Sequence, residues 1–252
     1  FGNSGTLARL IIGILSTTPN INVKITGDKS LNKRNMRKLI SEMEKFGANF
    51  FPLKKNYLPL NLVSSEIPIG IDFKAGVSAQ IKSAVILAGL NSYGETNITE
   101  LKKSRDHTEN ILINNPNILK IKKGKYNSIR IFGKKSFRKV DISVPGDPSN
   151  AAFFTTLTLL SKNSKLIIKK VCLNSRRIGF YEILKKNGAK IKFINRKKIN
   201  NEYVADIQVK SSNIKSFNAG PELYSKATDE YPILFIIAAL INGKSTFNGI
   251  GE

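Results

Sequence analysis

The feature that most limits what this chain can fold into is an internal repeat. Four segments share one order: small polar residues, an apolar helical run, a Gly or polar break, then a short β-rich strand. They are GNSGTLARLIIGIL with INVKITG, SAQIKSAVILAGL with ETNITEL, DPSNAAFFTTLTLL with KLIIKKV, and TDEYPILFIIAALINGKSTFNGI. Their starts near Asn3, Ser78, Ser149 and Asp229 are about 75, 71 and 80 residues apart, which suits a repeated supersecondary unit and no single loop motif. A second pattern is interleaved. SLNKRNMRKLISEMEKFGANF, SRDHTENILI and SRRIGFYEILKKNGAKIKF each set a Ser ahead of an Arg and an amphipathic helix. Ser30, Ser104 and Ser175 keep nearly the same period, about 74 and 71 residues. Each unit therefore reads as strand–helix–strand–helix–strand, and the fold class is α/β.

Local signals agree with this frame. Met36, Leu39, Ile40, Met43 and Phe46 share one helical face, and Gly47 and Gly188 stand where a helix C-terminus needs a left-handed residue. The Lys/Asn-rich stretches Lys120–Lys125 and Asn195–Asn201 are expected to be exposed turns. The apolar helices all begin with capping residues: Ser4 or Thr6, Ser78, Asp147-Pro148-Ser149 and Thr228-Asp229. Free N–H groups and the helix dipole attract anions at such starts. Several aimed at one cleft would bind an anionic substrate; each alone reads as a structural cap. Arginine placement favours the first reading. Arg34, Arg105 and Arg177 fall at or near the starts of the second-pattern helices in a chain with 32 Lys and only 9 Arg. A retained Arg fits a need for the planar fork that grips phosphate or carboxylate.

Composition removes some function classes. A net charge of +23 suits a polyanion. Its Lys, Asn and Ile bias reads instead as codon drift in an AT-rich genome, with lysines spread over solvated faces. Trp is absent and no Arg-rich or aromatic-interleaved stripe offers base stacking, so nucleic acid is not an expected partner. The longest apolar runs, such as ILFIIAALI at 233–241, are about half of what a bilayer crossing needs. A single cysteine, Cys172 between Val171 and Leu173, allows no internal disulfide and no cysteine-based zinc site. It is expected to be a buried thiol in a reducing, cytoplasmic compartment.

Taken in order, GNSGT, GDKSLNKR, LPL, SAQIKSAVILAGL, SRDHTE, VPGDPSNAAF, LNSRR and DEYPILFIIAAL resemble the 5-enolpyruvylshikimate-3-phosphate (EPSP) synthase family. The likeness is to the subgroup that writes SAQ-K-SA and SRDHTE. It implies an enolpyruvyl transferase fold, an inside-out α/β barrel of two domains. Each domain is built of three βαβαββ units whose helix starts face the cleft. It also implies an internal fragment lacking both termini and inactive alone. A preceding segment would carry a substrate-binding Lys-Ser and Arg, and a Lys-Glu-Ser-Asp-Arg-like stretch would follow Glu252. Residues 1–143 would form most of one domain, about two units, and residues 144–252 part of the other, with the hinge near 144–146.

The reaction implied joins phosphoenolpyruvate to the 5-hydroxyl of shikimate 3-phosphate. It releases phosphate through a tetrahedral addition–elimination intermediate, with no metal and no cofactor. Asp229 matches the family's catalytic aspartate, which also contacts shikimate hydroxyls. Ser78, Ala79 and Gln80 match a stretch that grips shikimate 3-phosphate, Gln80 reaching phosphoenolpyruvate as well. Ser104 and Arg105 match a second phosphate-contacting segment. Arg34 matches an arginine on phosphoenolpyruvate, and Gly5 a glycine whose bare backbone lies against it. The partners implied are these two small anions, with no nucleic acid, no membrane and a monomeric full-length protein. Glyphosate, which takes the phosphoenolpyruvate site in this family, would meet no alanine barrier at Gly5. His107, Arg9, Arg177 and Asp147 read as structural, and Glu230 as electrostatic support for Asp229. Asn35 and Ser175 depart from frequent family prolines, and Ile113–Asn117 implies a short helix after SRDHTE. Two rivals stand beside this reading: the enolpyruvyl transferase that acts on UDP-N-acetylglucosamine, which carries a catalytic-loop cysteine, and a basic nucleic-acid-binding protein.

Overall fold

The computed structural model describes residues 1–137, 139 and 141–250. They form two compact units, Phe1–Lys139 and Val140–Glu252, each around its own hydrophobic core. In the first unit, helix α1 (Gly5–Thr17) is followed by strand β1 (Asn22–Ile25), helix α2 (Arg37–Lys45) and the hairpin β2 (Asn49–Pro52) and β3 (Leu60–Val63). The three strands pair antiparallel in the order β1–β3–β2. The order then recurs with a leading strand. It runs β4 (Asp72–Ala75), α3 (Ala79–Leu90), β5 (Glu95–Glu100), α4 (His107–Leu112), β6 (Leu119–Lys122) and β7 (Asn127–Phe132). This sheet is ordered β4–β5–β7–β6, with β4 parallel to β5 and the other pairs antiparallel.

The second unit repeats the plan. Helix α5 (Pro148–Leu160), strand β8 (Lys165–Cys172), helix α6 (Gly179–Lys186) and strands β9 (Lys190–Ile199) and β10 (Glu202–Lys210) give the order β8–β10–β9. A parallel bridge from Gly146 to Val171 stands where β4 stands beside β5. A further repeat opens with β11 (Asn218–Ala219) parallel to β12 (Thr246–Phe247). Between them come α7 (Pro221–Ala227), a 3₁₀ turn (Thr228–Glu230) and α8 (Tyr231–Leu240).

Each complete repeat thus ends in a hairpin, one strand more than the residue patterns indicated. The missed strands lie in the Lys/Asn-rich stretches. Lys120–Lys122 belongs to β6, and Asn195–Ile199 to β9, which pairs with β10 as far as Ile199 opposite Glu202. Only Asn200 and Asn201, both with positive φ, make the turn. β6 and β9 are sheet edges. Edge strands carry lysines that discourage further pairing, so their polarity imitates that of a loop.

Other local features follow from the sequence directly. The expected α2 face is buried at Met36, Leu39, Ile40, Met43 and Phe46. Gly47 (φ 95°) and Gly188 (φ 100°) close α2 and α6. Ser4, Ser78 and Asp147 cap α1, α3 and α5 with their side chains. The fourth start differs: α8 begins at Tyr231 with no side-chain cap, because Thr228 and Asp229 already lie in the 3₁₀ turn leading out of α7. Among the described residues no helix is long and apolar enough to cross a membrane.

The first unit is organised by the packing of α1 on α3. A Cβ on Gly13 would lie 2.5 Å from Ala84 O and 2.9 Å from its Cα, so the two backbones touch at this point. α3 is enclosed nearly all round, with Ile81 to Ile86, Ala88 and Gly89 buried. Ala usually stabilises a helix over Gly by about 1 kcal/mol; here the sign should reverse. Gly13→Ala is expected to destabilise the protein by about 1–3 kcal/mol in urea unfolding, because neither backbone can yield. A gain in stability would contradict the close contact.

Candidate functional site

Two arginines from separate parts of the chain converge on the start of α1. Ser4 Oγ accepts the Leu7 N–H (3.2 Å) and opens the helix at Gly5. The loop bearing Arg34 is tied back to it: Asp28 N–H donates to Gly2 O (2.8 Å), and Asp28 Oδ1 accepts the Leu31 N–H (2.7 Å). Arg34 Nη2 then donates to Asn3 Oδ1 (2.8 Å). Arg9, one turn into α1, donates from Nη1 to Gly5 O (3.1 Å). A Cβ on Gly5 would lie 2.7 Å from Nη1 of both Arg34 and Arg9. Burial, and then the charge of Arg34, push the Arg9 guanidinium below its ordinary pKa. Among the described residues neither arginine is ion-paired with a carboxylate. Two cations meeting at one bare backbone position, beside free helix N–H groups, favour an anion there.

The start of α3 stands beside it. Ser78 caps the helix, and Gln80 Nε2 donates to Thr6 Oγ1 (2.7 Å), linking the two helix starts. Ser78, Ala79 and Gln80 are half-buried. Beneath them lies a buried ionic cluster. Lys82 Nζ is 2.7 Å from Glu100 Oε1 and 2.6 Å from Glu109 Oε1, and all three side chains are at most 3% exposed. Glu100 Oε1 also accepts from the Ser104 N–H (2.8 Å) and hydroxyl (3.1 Å), while its Oε2 accepts from Asn127 Nδ2 (2.7 Å). Burial pushes the Glu100 carboxyl up, but the hydrogen bonds from Lys82, Ser104 and Asn127 outweigh it and hold the group below the usual range. Burial also pushes Glu109 up, with the Asp106 charge adding to it, and here Lys82 offsets only part. Glu109 Oε2 is buried and has no hydrogen-bond partner among the described residues. So Gly5, Arg34, Ser78, Ala79, Gln80, Ser104 and Arg105 belong to one neighbourhood, joined by named contacts or by direct sequence adjacency.

In the second unit Asp229 is exposed in the 3₁₀ turn. Glu230 beside it is 3% exposed and accepts a short hydrogen bond from Ser149 Oγ at the start of α5. Arg177 Nη2 donates to that same Ser149 Oγ (2.7 Å) and to Asp147 Oδ1 (2.7 Å). Cys172 ends strand β8, buried, with its thiol pushed up by desolvation.

The model of the EPSP synthase (3-phosphoshikimate 1-carboxyvinyltransferase) family matches residues 1–252. The chain belongs to the EPSP synthase family. A 3-phosphoshikimate 1-carboxyvinyltransferase of Zymomonas mobilis is 39% identical over all of this chain and 56% of its own length. One from Petrotoga mobilis is 40% identical over 99% of this chain and 58% of its own. An EPSP synthase structure from Acinetobacter baumannii superposes with TM-score 0.83 at 34% identity, covering all of this chain and 57% of that one. The enolpyruvyl transferase NikO from Streptomyces tendae, 13% identical at TM-score 0.70 over 93% of this chain and 54% of its own, shares the fold. The chain therefore spans a little over half the length of these relatives.

Two departures from the family strings are accommodated locally. Asn35 Oδ1 accepts the Arg37 N–H (2.8 Å), so an Asx turn starts α2 without a proline. Helix α4 is six residues long, as the Ile113–Asn117 departure implied. Arg9, read from the sequence as structural, is the residue whose place against Gly5 that reading did not foresee. The available signal was an Arg retained four positions after Gly5, one turn along the same helical face. Lys82 had a signal too, as the single charge inside an otherwise apolar helical run. Its partners Glu100 and Glu109 are distant in sequence and had none.

The cluster makes a signed pH prediction. A carboxyl raised on folding disfavours the folded state once ionised, so its cost is absent in acid and grows as pH rises through the folded pKa. Glu109→Gln is expected to melt at or above the parent near about pH 7, with the gain vanishing below about pH 4. Glu100, held low, has the opposite sign: its stabilisation is present above the ordinary Glu range and lost as pH falls through its folded pKa. Melting temperatures across this range test both. A Glu109→Gln loss that persists unchanged at every pH would contradict the assignment.

Proposed function

We propose that this chain is part of an enzyme that transfers the enolpyruvyl group of phosphoenolpyruvate to the 5-hydroxyl of shikimate 3-phosphate. The observation that carries the reading is Gly5, bare against the Arg9 and Arg34 guanidinium groups at a helix start that Gln80 ties to a second one. Such a site suits a small dianion held at close range. In this reading Gly5, Arg9, Arg34 and Gln80 hold phosphoenolpyruvate, and Ser78, Ala79, Gln80 and the Ser104–Arg105 segment hold shikimate 3-phosphate. Asp229, with Glu230 fastened beneath it by Ser149, takes the proton of the attacking 5-hydroxyl. The hydroxyl oxygen bonds to C2 of phosphoenolpyruvate while C3 gains a proton. The tetrahedral adduct then expels phosphate as C3 loses a proton, leaving the enol ether. The proton donor to C3 is not among the residues matched here.

The two units correspond in this reading to parts of two domains, with the hinge near Val144–Gly146. The working protein is a cytoplasmic monomer of the relatives' length, and it acts on small anions in preference to nucleic acid. Cys172 argues against the nucleotide-sugar rival, since it is buried at a strand end with a thiol that burial keeps protonated.

The test joins this chain to the flanking segments of the Zymomonas mobilis relative and follows phosphate release. Release is expected with phosphoenolpyruvate plus shikimate 3-phosphate and not with UDP-N-acetylglucosamine. Asp229→Ala should lower kcat by about 100-fold or more, the usual range for a lost general base. Release with the nucleotide sugar alone would overturn the substrate; release unaffected by Asp229→Ala would overturn the base.

Two substitutions test the anion pocket. Arg9→Gln is expected to raise the KM for phosphoenolpyruvate about tenfold, the loss of one charge-assisted contact. Gly5→Ala places a methyl group where both guanidinium groups now lie. It should raise both that KM and the inhibitory concentration of glyphosate. If Gly5→Ala alters neither, the loop does not hold the enolpyruvyl donor.

A further inference from the structure

The buried cluster beneath the start of α3 has no simple stabilising role. Removing two Glu and one Lys from water is costly, and apolar side chains of equal volume commonly serve stability as well or better. What distinguishes this cluster is what Glu100 holds. It ends β5, and the chain leaves it for α4 through Ser104 and Arg105. Both Ser104 donors, N–H and hydroxyl, end on Glu100 Oε1, the same oxygen that Lys82 Nζ reaches from α3. Asn127 on β7 occupies the other oxygen. Ser83, next along α3, hydrogen-bonds Thr108 of α4 (2.8 Å), so the loop is gripped from both ends. A hydroxyl donating inward to a carboxylate is not donating to a substrate.

We propose that Glu100, fixed by Lys82, is a positioning residue for Arg105. On this view Ser104 anchors the loop and Arg105 makes the loop's contact with the substrate phosphate. The inference rests on the proposed function for the identity of that substrate. It adds two residues from separate elements, Lys82 and Glu100, that set the binding geometry without touching the ligand. The distances agree with such a role: the ionic contacts of Lys82 are 2.6–2.7 Å in a site that excludes water, where a displaced partner is not replaced by solvent.

The experiment is a double-mutant cycle in the extended protein, read as KM for shikimate 3-phosphate and for phosphoenolpyruvate. Glu100→Gln and Arg105→Ala are each expected to raise the shikimate 3-phosphate KM about tenfold or more, with the phosphoenolpyruvate KM within about twofold. The pair together should do no worse than Arg105→Ala alone, because Glu100 acts only through Arg105. Full additivity, or equal changes in both KM values, would overturn the proposal. If Glu100→Gln does not fold, Lys82→Met with Glu100→Gln removes both charges and takes its place in the cycle. If the unaltered protein turns over neither acceptor, the functional reading fails and the positioning role is read separately. Inorganic phosphate is then titrated while the Arg105 amide signal is followed. A response in the unaltered protein that Glu100→Gln abolishes supports the role; an equal response in both, or none in either, overturns it.

Discussion

The close approach of α1 and α3 at Gly13 is the contact on which the rest of the first unit depends. Any side chain there would collide with the Ala84 backbone, so the glycine sets how near the two apolar helices come. Because they touch, their N-termini stand close enough for Gln80 to reach Thr6. Two helix starts side by side concentrate free N–H groups and positive dipole ends in one place, which a single start does only weakly.

Two kinds of electrostatics then operate a few residues apart. At the start of α1, Arg9 and Arg34 share Gly5 with no carboxylate between them among the described residues, so like charges meet there and an anion would be favoured. Under the start of α3 opposite charges are already in contact, one cation, Lys82, against two carboxyl groups, Glu100 and Glu109, in a dry interior. The first leaves two cations side by side at a helix start; the second ties the Ser104 loop to β5 and α3 through hydrogen bonds and ion pairs. The second unit uses a related device, with Arg177, Ser149 and buried Glu230 connected in a line beside Asp229. The overall +23 charge plays little part in either, since exposed lysines are screened within about 10 Å in ordinary salt.

Much of the frame was legible in the residues because it rests on local chemistry. Ser4, Ser78 and Asp147 cap the helices they were expected to cap, and the Met36 to Phe46 face is buried. Failures came where a partner in another element decides the outcome. Lys120–Lys122 and Asn195–Ile199 are polar enough for loops, yet they pair as edge strands because β7 and β10 offer free backbone groups. Thr228 and Asp229 have capping chemistry, yet α7 delivers them already inside a turn. No residue near Arg9 in the sequence indicates that Arg34 lies alongside its guanidinium at Gly5.

The sequence by itself determined the repeat, the α/β class, three of the four apolar helix starts and the family, since periodicity, capping and motif order are encoded within a few residues of one another. Tertiary structure alone decided which charges meet. Gly5 lies 29 positions from Arg34 and Lys82 lies 18 from Glu100, and no local rule relates them. Only the folded chain brings each pair together, where a lowered dielectric makes each pairing, and each missing partner, count.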